Sequence, residues 1–265
     1  QVDGGDGDGT FSYVAKCLVL GCLSCDQQTP GVSAVQIQRQ LGISPYETAF
    51  QILHKLHAGM ERPDQDRIGG NADEHVEVDE SYVGGRTHEI GRDVHDKVIV
   101  AIAIKVRQRK PETKLDKRKG GRYAGRVRLA VVLDRRAKSL GGFVEQSVTP
   151  GTKIVTDDWV GYADIPEGGY DHFAAAERGD PQTAEKYLPI IHLVFANLKT
   201  WLTRTHHGVS QQHLPSSLNE FTFPLNRRFY PFNAFRSPLG FPGDVTALTY
   251  AGLYSGEWTH PSCCG

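Results

Sequence analysis

Three short segments of the sequence carry side chains whose types could do chemistry. Asp79 lies in VDESYVGG, Asp157 lies in TDDWVGY, and Asn197 lies in FANLKTWL. Two carboxylates and one amide offer the oxygen ligands that Mg²⁺ and Mn²⁺ accept. If two strands and a helix bring these side chains together, the sequence predicts a metal site suited to phosphodiester chemistry.

Asp157 has an acidic neighbour that makes its role ambiguous at the level of sequence. It follows a β-branched apolar run, which indicates a carboxylate held at the end of a strand. Successive strand residues face opposite ways, so only one of Asp157 and Asp158 can share a face with Asp79, and spacing does not decide which. Either aspartate could instead be a turn residue before Trp159.

Asn197 is predicted to face inward from a helix. It shares a helical stripe with Ile190, Val194 and Trp201. An inward amide needs partners, because an unsatisfied buried polar group costs about 1–3 kcal/mol. A metal ion or a carboxylate would supply them, and so would a backbone hydrogen bond.

The elements that must position these residues can be predicted from periodicity. Alternation and apolar runs predict strands, and 3.6-residue spacing predicts helices. The strands fall at 75–82, 97–104, 128–134 and 153–156, and the helices at about 137–146 and 190–203. This order indicates a mixed α/β sheet, in which ligands gather at the carboxyl ends of strands.

Two shorter helices are predicted upstream, over residues 32–56, on either side of a turn at Gly42. Ser33 and Ser44 each precede a Glu or Gln by three residues, which is the pattern of a capping box, and Pro45 suits a first helical residue. The pair is typical of a helix-turn-helix whose second helix, beginning at Pro45, could enter a DNA major groove. An ordinary helical hairpin is the alternative.

The composition excludes several classes of protein. The chain has 265 residues, of which 39% are hydrophobic, so it can bury a sizeable core. It contains no apolar run of about 18 residues and no convincing signal peptide, so we expect no membrane span. The five cysteines form neither a disulfide framework nor paired zinc knuckles, which favours a reducing cytoplasm. Cys22 and Cys25 are better explained as residues of a buried helix than as zinc ligands.

The formal net charge of −1 conceals a strongly basic stretch. Eleven basic residues and two acidic ones lie between Lys105 and Arg128. Such a stretch attracts a polyanion, although it could also be a solvated and mobile hairpin loop.

Three further residues could line or flank a site near the end of the sequence. His206 and His207 point apart because they are adjacent, so we expect them at a nucleic-acid or active-site rim and not on one metal ion. Glu220 is predicted to be solvated or structural, because Leu214, Leu218 and Phe221 define a buried face that excludes it.

Seven strings in a fixed order carry a family resemblance. VDESYVGG, GRVRLAVV, TDDWVGY, HLVFANLKTWL, THHGVS, LNEF and NRRFYP resemble the ISXO2-like transposases of the IS1595 insertion-sequence family, over about residues 31–260. The resemblance implies a ribonuclease-H-like mixed sheet flanked by helices and preceded by a small helix-turn-helix. It also implies Asp79, Asp157 and Asn197 as metal ligands and catalytic residues, in preference to Asp158, with two Mg²⁺ or Mn²⁺ ions.

The resemblance further implies metal-dependent DNA strand cleavage and strand transfer. The partners would be double-stranded DNA, comprising the terminal inverted repeats and the target, and other copies of the chain in a homo-oligomer. The expected location is the cytoplasm, at the nucleoid, with no membrane partner. The expected DNA contacts are Pro45, Tyr46, Lys117, Arg118, Lys119, Lys199, Arg204, His206 and His207. The alternatives are an inactive copy that only binds DNA, and a ribonuclease-H-like nuclease without transfer activity.

The same comparison predicts the division of the chain. We expect a disordered or truncated region at 1–30, a helix-turn-helix at 31–62, a linker at 63–72, a catalytic domain at 73–240 and a tail at 241–265. The chain departs from its relatives in lacking both Cys pairs of an N-terminal zinc ribbon. Pro215 is expected inside a helix, and Pro224 stands where relatives usually have a basic residue.

Overall fold

The computed structural model describes residues 31–60, 67–83, 97–109, 121–175, 187–206 and 209–229. Contacts divide the chain into two compact units. We call residues 66–200 the sheet unit, and residues 1–65 with 201–265 the helical unit. This grouping differs from the expected division, because it places residues from 201 onward with the N-terminal helices. The Cys pair and the rest of the first thirty residues lie outside the described residues.

The sheet unit is built on five strands. They are β1 (His75–Val83), β2 (Val98–Gln108), β3 (Arg122–Val132), β4 (Lys153–Asp157) and β5 (Asp171–Ala175). The spatial order is β3-β2-β1-β4-β5. The pairs β1–β2 and β2–β3 are antiparallel, whereas β1–β4 and β4–β5 are parallel. The predicted mixed α/β sheet is therefore confirmed, and its arrangement is consistent with a ribonuclease-H-like fold.

Helices cover both faces of the central strand β1. Val76 and Val78 are fully buried in a cluster with residues of α3 (Ala137–Ser147), such as Phe143. Glu77 points to the opposite face, where its carboxylate accepts a hydrogen bond from the Ile191 N–H at 2.7 Å. That residue lies in the first turn of α4 (Pro189–His206), where backbone N–H groups have no partner within the helix.

Most predicted elements of this unit occur, with shifted ends. β2 is almost wholly buried, as its continuous apolar run indicates. β3 begins at Arg122, six residues before its predicted start, and β5 was not predicted. Both ends of the basic stretch lie in β2 and β3, so the loop interpretation was wrong there. Lys105 is buried and pairs with Glu74.

The helical unit contains α1 (Ala34–Leu41), α2 (Tyr46–Gly59) and α5 (Leu214–Arg227), together with the last residues of α4. The predicted capping box of α1 is present, since Ser33 accepts from the Gln36 N–H and the Gln36 side chain accepts from the Ser33 N–H. Gly42 ends α1 with φ of 64°, a left-handed conformation that glycine adopts without steric cost. The two predicted helices and their glycine turn are confirmed, while DNA binding by them stays a prediction.

Three predictions about serine and proline in this unit need correction. Pro45 occupies the N-cap position of α2 and Tyr46 is the first helical residue, so the capping box expected at Ser44 does not form. Pro215 lies in the first turn of α5, where its missing N–H costs little, and is not in the helix interior as expected. Pro224 does lie inside α5.

A buried carboxylate joins the segments of the helical unit. Glu220 is 5% exposed, so the prediction that its side of α5 faces solvent was wrong. Its oxygens lie 2.9 Å from His57 Nε2 and 3.4 Å from His206 Nε2, and it accepts a hydrogen bond from the Val32 N–H at 2.9 Å. Burial would raise the pKa of Glu220, but the charge of His57 and the contacts of His206 and His57 lower it to about 2. We call these four residues the Glu220 cluster.

We expect the helical unit to lose stability on acidification from about pH 6.5, partly through His54. Burial, and then positive charge on His57, His213 and His206, lowers the pKa of His54 to about 3 from its usual 6.5, against the opposing effect of Glu220. Between these two pH values the unfolded chain binds a proton at His54 that the folded chain does not. Stability therefore rises with pH across this window and falls as the pH is lowered through it.

Urea unfolding at several pH values between 6.5 and 5 measures this effect. The variant His54→Phe keeps a ring against Phe50, whose centroid lies 4.2 Å away, but cannot titrate. Its free energy of unfolding should fall less steeply on acidification than that of the wild type. The difference in slope should correspond to at most one proton, bound by the unfolded state and not by the folded state. Equal slopes for the variant and the wild type would contradict the assignment.

The described helices are too short or too polar for a membrane span, as far as the described residues extend.

Candidate active site

The two predicted aspartates lie on adjacent parallel strands. Val76 of β1 pairs with Ile154 of β4, and Glu77 pairs with Val155, so partners differ by 78 in residue number. Continuing this register by two residues places Asp79 opposite Asp157. Neighbouring strands are about 4.8 Å apart, and residues in register share a face. The paired positions stop at Glu77 and Val155, so the register places Asp79 and Asp157 on the same face of the sheet, two residues beyond the last pair.

Asp157 and Asp158 differ in their surroundings. Asp157 is half-buried, and its Oδ1 accepts a hydrogen bond from the Trp159 N–H at 3.3 Å. This contact with the residue two positions on is the turn geometry that was the alternative to a metal role. Asp158 is exposed. Continuing the register of β1 and β4 favours Asp157 over Asp158 as the neighbour of Asp79, and its role as a metal ligand stays a prediction.

A histidine that sequence reasoning missed lies beside Asp79. His192 Nε2 is 3.6 Å from Asp79 Oδ2, and the aspartate side chain is 15% exposed. His192 is in the first turns of α4, whose start Glu77 fixes by accepting the Ile191 N–H. The signal that could have found it is the alternation of Glu77 and Asp79, which puts both carboxylates on the face that α4 covers.

Lys199, one of the expected DNA contacts, lies on the same side of α4 as His192. The two residues are seven apart, which is about two helical turns. Lys199 Nζ donates a hydrogen bond to Ser81 Oγ at 2.7 Å. Because Ser81 is two residues beyond Asp79 on β1, its side chain points to the same face. The lysine is therefore held close to the strand that carries Asp79.

Asn197 does not face inward, so that prediction was wrong. The buried stripe of α4 is formed by Ile191, Val194, Phe195, Leu198 and Leu202. Asn197 is exposed, and at about 100° per residue it lies about 140° around the helix from His192. The spacing of the three apolar residues that define the predicted stripe is compatible with more than one buried face, and tertiary packing selects another. Its role as a third ligand stays a prediction.

The two aspartates offer the carboxylate oxygens that a hard divalent cation accepts. Burial raises the pKa of Tyr162 well above its usual value, and negative charge on Glu80, Asp79 and Asp157 adds to the effect. Both aspartates are therefore close enough to Tyr162 for their charge to act on it, and two neighbouring carboxylates are ligands that Mg²⁺ and Mn²⁺ accept. Among the described residues, no three Asp, Glu, His or Cys side chains converge as a complete metal site.

A polar network adjoins both aspartates and was not predicted from the sequence. Glu80, which follows Asp79, is buried and bonded through one oxygen to Arg135 and through the other to the Tyr162 hydroxyl. Arg135 also stacks on Trp159, with its guanidinium carbon 4.2 Å from the ring centroid.

The other expected DNA contacts are spread over both units. Pro45 and Tyr46 are exposed at the start of α2, and Arg204 is exposed near the end of α4. His206 is largely buried against Glu220 and Trp201, so it does not form the expected rim. Lys117, Arg118, Lys119 and His207 lie outside the described residues.

The sheet unit is a mixed α/β domain, and its five-stranded sheet with flanking helices is consistent with a ribonuclease-H-like fold. Comparison with known families then gives a closer assignment. The ISXO2-like transposase domain family matches residues 71–226, more than half of the chain, and the chain belongs to that family. Comparisons with curated proteins and with solved structures found no match.

Proposed function

We propose that this protein is an insertion-sequence transposase that cleaves DNA at the ends of its element and joins those ends to target DNA. The observation that supports the proposal is the register of β1 and β4, which puts Asp79 and Asp157 on one face, two residues beyond the last paired positions. Both aspartates lie inside the region that matches the transposase domain. The family match supports a transposase, and the paired carboxylates support metal-dependent chemistry.

Asp79 and Asp157 would hold two Mg²⁺ or Mn²⁺ ions, and Asn197, expected from the family resemblance as a neutral third ligand, would have to reach them from another side of α4. When bound, such ions activate water or a 3′-hydroxyl and stabilise the leaving oxygen. His192 orients Asp79 from the covering helix. Lys199, held at Ser81, offers its ammonium group to a DNA phosphate on the same face.

DNA contacts outside the catalytic face would come from the rest of the expected set. Pro45 and Tyr46 lie at the exposed start of α2, the end of a recognition helix that usually meets base edges. Arg204 and the basic residues Lys117, Arg118 and Lys119 would neutralise backbone phosphates, and binding should weaken as salt is raised. Assembly of the two element ends in one complex would require a homo-oligomer.

A second candidate function is DNA binding without chemistry by a decayed copy. Pro224 favours it, because proline inside a helix removes a backbone hydrogen bond and costs about 3 kcal/mol. This residue lies near the end of α5, in the helical unit, and leaves the pairing of Asp79 with Asp157 unchanged.

A cleavage assay separates the two functions. The full chain is incubated with a labelled duplex that carries an inverted repeat taken from the DNA flanking its gene, with Mg²⁺ or Mn²⁺ and a target plasmid. We expect nicked ends and covalently joined products, both lost in EDTA. Binding of the duplex without nicking in either metal would leave only the DNA-binding function. Nicking without joined products would indicate a nuclease.

A further inference from the structure

The network beside the aspartates begins with a buried carboxylate that has no role in the reaction proposed above. The side chain of Glu80 is 1% exposed, although Glu80 directly follows Asp79 on β1. One of its oxygens accepts from Arg135 and the other from the Tyr162 hydroxyl. A carboxylate in such a place needs both partners, because a charge is stable inside a protein only when it is paired and hydrogen-bonded.

A second set of contacts runs from Arg135 to the segment that follows Asp157. The carbonyl oxygen of Arg135 accepts a hydrogen bond from Trp159 Nε1 at 3.0 Å, and the Arg135 guanidinium lies on the same indole ring. The Trp159 N–H in turn donates to Asp157. Gly161 allows this close approach, since a Cβ at that position would lie 2.5 Å from the Arg135 carbonyl oxygen.

These contacts connect the neighbours of both aspartates through one arginine. On one side, Arg135 holds the residue next to Asp79. On the other, it holds Trp159, which binds the Asp157 side chain. Asp79 and Asp157 otherwise depend on the register of β1 and β4, whose paired positions stop at Glu77 and Val155. The network therefore acts where the strands no longer pair.

We propose that Glu80, Arg135, Trp159 and Tyr162 form a brace that sets the separation of Asp79 and Asp157 and so their affinity for a divalent cation. The four residues are positioning residues, because they touch the aspartates or their neighbours and not the substrate. The inference rests on the proposed function. It assigns to these four residues a role in metal binding, in addition to any contribution that they make to stability. An apolar residue at position 80 would fill the same core without the cost of burying a charge.

The test compares two tyrosines of the same buried cluster. Tyr162 and Tyr170 both belong to the core beneath the sheet, and both hydroxyls donate a hydrogen bond. The Tyr170 hydroxyl donates its hydrogen bond to the Val148 carbonyl oxygen, which is not part of the brace. The variants Tyr162→Phe and Tyr170→Phe therefore remove the same group from two buried side chains, and only the first removes a contact of the brace.

Mn²⁺ binding to the full-length protein, without DNA, is measured by isothermal titration calorimetry. Outer-shell partners of metal ligands typically contribute 10–100-fold to metal affinity. We expect Tyr162→Phe to weaken Mn²⁺ binding at least about 10-fold, and Tyr170→Phe to leave it within about 2-fold of the wild type. Circular dichroism at the titration temperature confirms that each protein is folded. Arg135→Lys, at a partly exposed position, is the second brace variant should Tyr162→Phe not fold.

The outcomes separate failure of the brace from failure of the proposed function. Equal Mn²⁺ affinity in folded Tyr162→Phe, Arg135→Lys and Tyr170→Phe would overturn the brace and show that these contacts serve stability alone. Asp157→Asn is titrated in parallel. If it binds Mn²⁺ as the wild type does, the aspartates are not the metal site, and both the proposed mechanism and the brace fail.

Discussion

Asp157→Asn should reduce metal-dependent cleavage of an element-end duplex by at least about 1,000-fold. The substitution keeps the size of the side chain and an oxygen that can accept from the Trp159 N–H, but it removes the negative charge opposite Asp79. Metal ions contribute several kcal/mol of transition-state stabilisation, and each 1.36 kcal/mol is a factor of ten in rate. Single-turnover nicking in Mg²⁺ and Mn²⁺ gives the comparison.

Asp158→Asn is the matched control for this experiment. It makes the same chemical change one residue along the chain, at an exposed position outside the pairing with Asp79. Its cleavage rate should stay within about threefold of the wild type, well under 1 kcal/mol in activation free energy. If instead Asp158→Asn is inactive and Asp157→Asn cleaves normally, the register of β1 and β4 does not define the site.

Glu220→Ala should destabilise the protein by about 3–5 kcal/mol, the usual cost of removing one partner from a buried charged cluster. The carboxylate is 5% exposed and lies within 2.9 Å of His57 Nε2, itself almost fully buried. The variant removes the carboxylate beside this histidine and His206, and it leaves the Val32 N–H without its acceptor. Urea unfolding at pH 7, followed by circular dichroism, measures the change in the free energy of unfolding.

The comparison for Glu220→Ala is an acidic residue in an exposed ion pair. Asp134 lies 3.7 Å from Arg136, and both side chains are substantially exposed. Asp134→Ala should shift the urea unfolding midpoint far less than Glu220→Ala does, because solvent screens such pairs. A similar small effect for Glu220→Ala would mean that the Glu220 cluster does not hold the helical unit together.

The sheet could be predicted from sequence largely because its pattern is local. The alternation of β1 and the apolar run of β2 each follow from burial on one face or on both. β5 has neither pattern, since only Ala175 of its five residues is buried, and so it was missed. The early start of β3 was hidden by its charged residues, which alternate with the glycine and small residues of a partly exposed strand.

Some residues of the candidate site could be predicted from the local sequence, whereas others depend on contacts between distant segments. Asp79 and Asp157 stand out because each ends or follows an apolar run. Asn197 and Glu220 were misjudged because helical spacing allows two or more stripes, and only packing against other segments decides which is buried. The bond from Glu80 to Tyr162 joins residues 82 apart in the chain, and no pattern in one sequence indicates such a pair.

Successive residues of β1 point to opposite faces of the sheet, so a few consecutive residues make several of the contacts described above. Glu77, Asp79 and Ser81 meet α4 on one face, while Glu80 meets Arg135 on the other. Losing one codon within this stretch would turn every later side chain to the opposite face. A substitution removes one of these contacts, whereas an insertion or deletion within the strand removes most of them at once. In the history of such a gene, this strand should therefore vary in composition long before it varies in length.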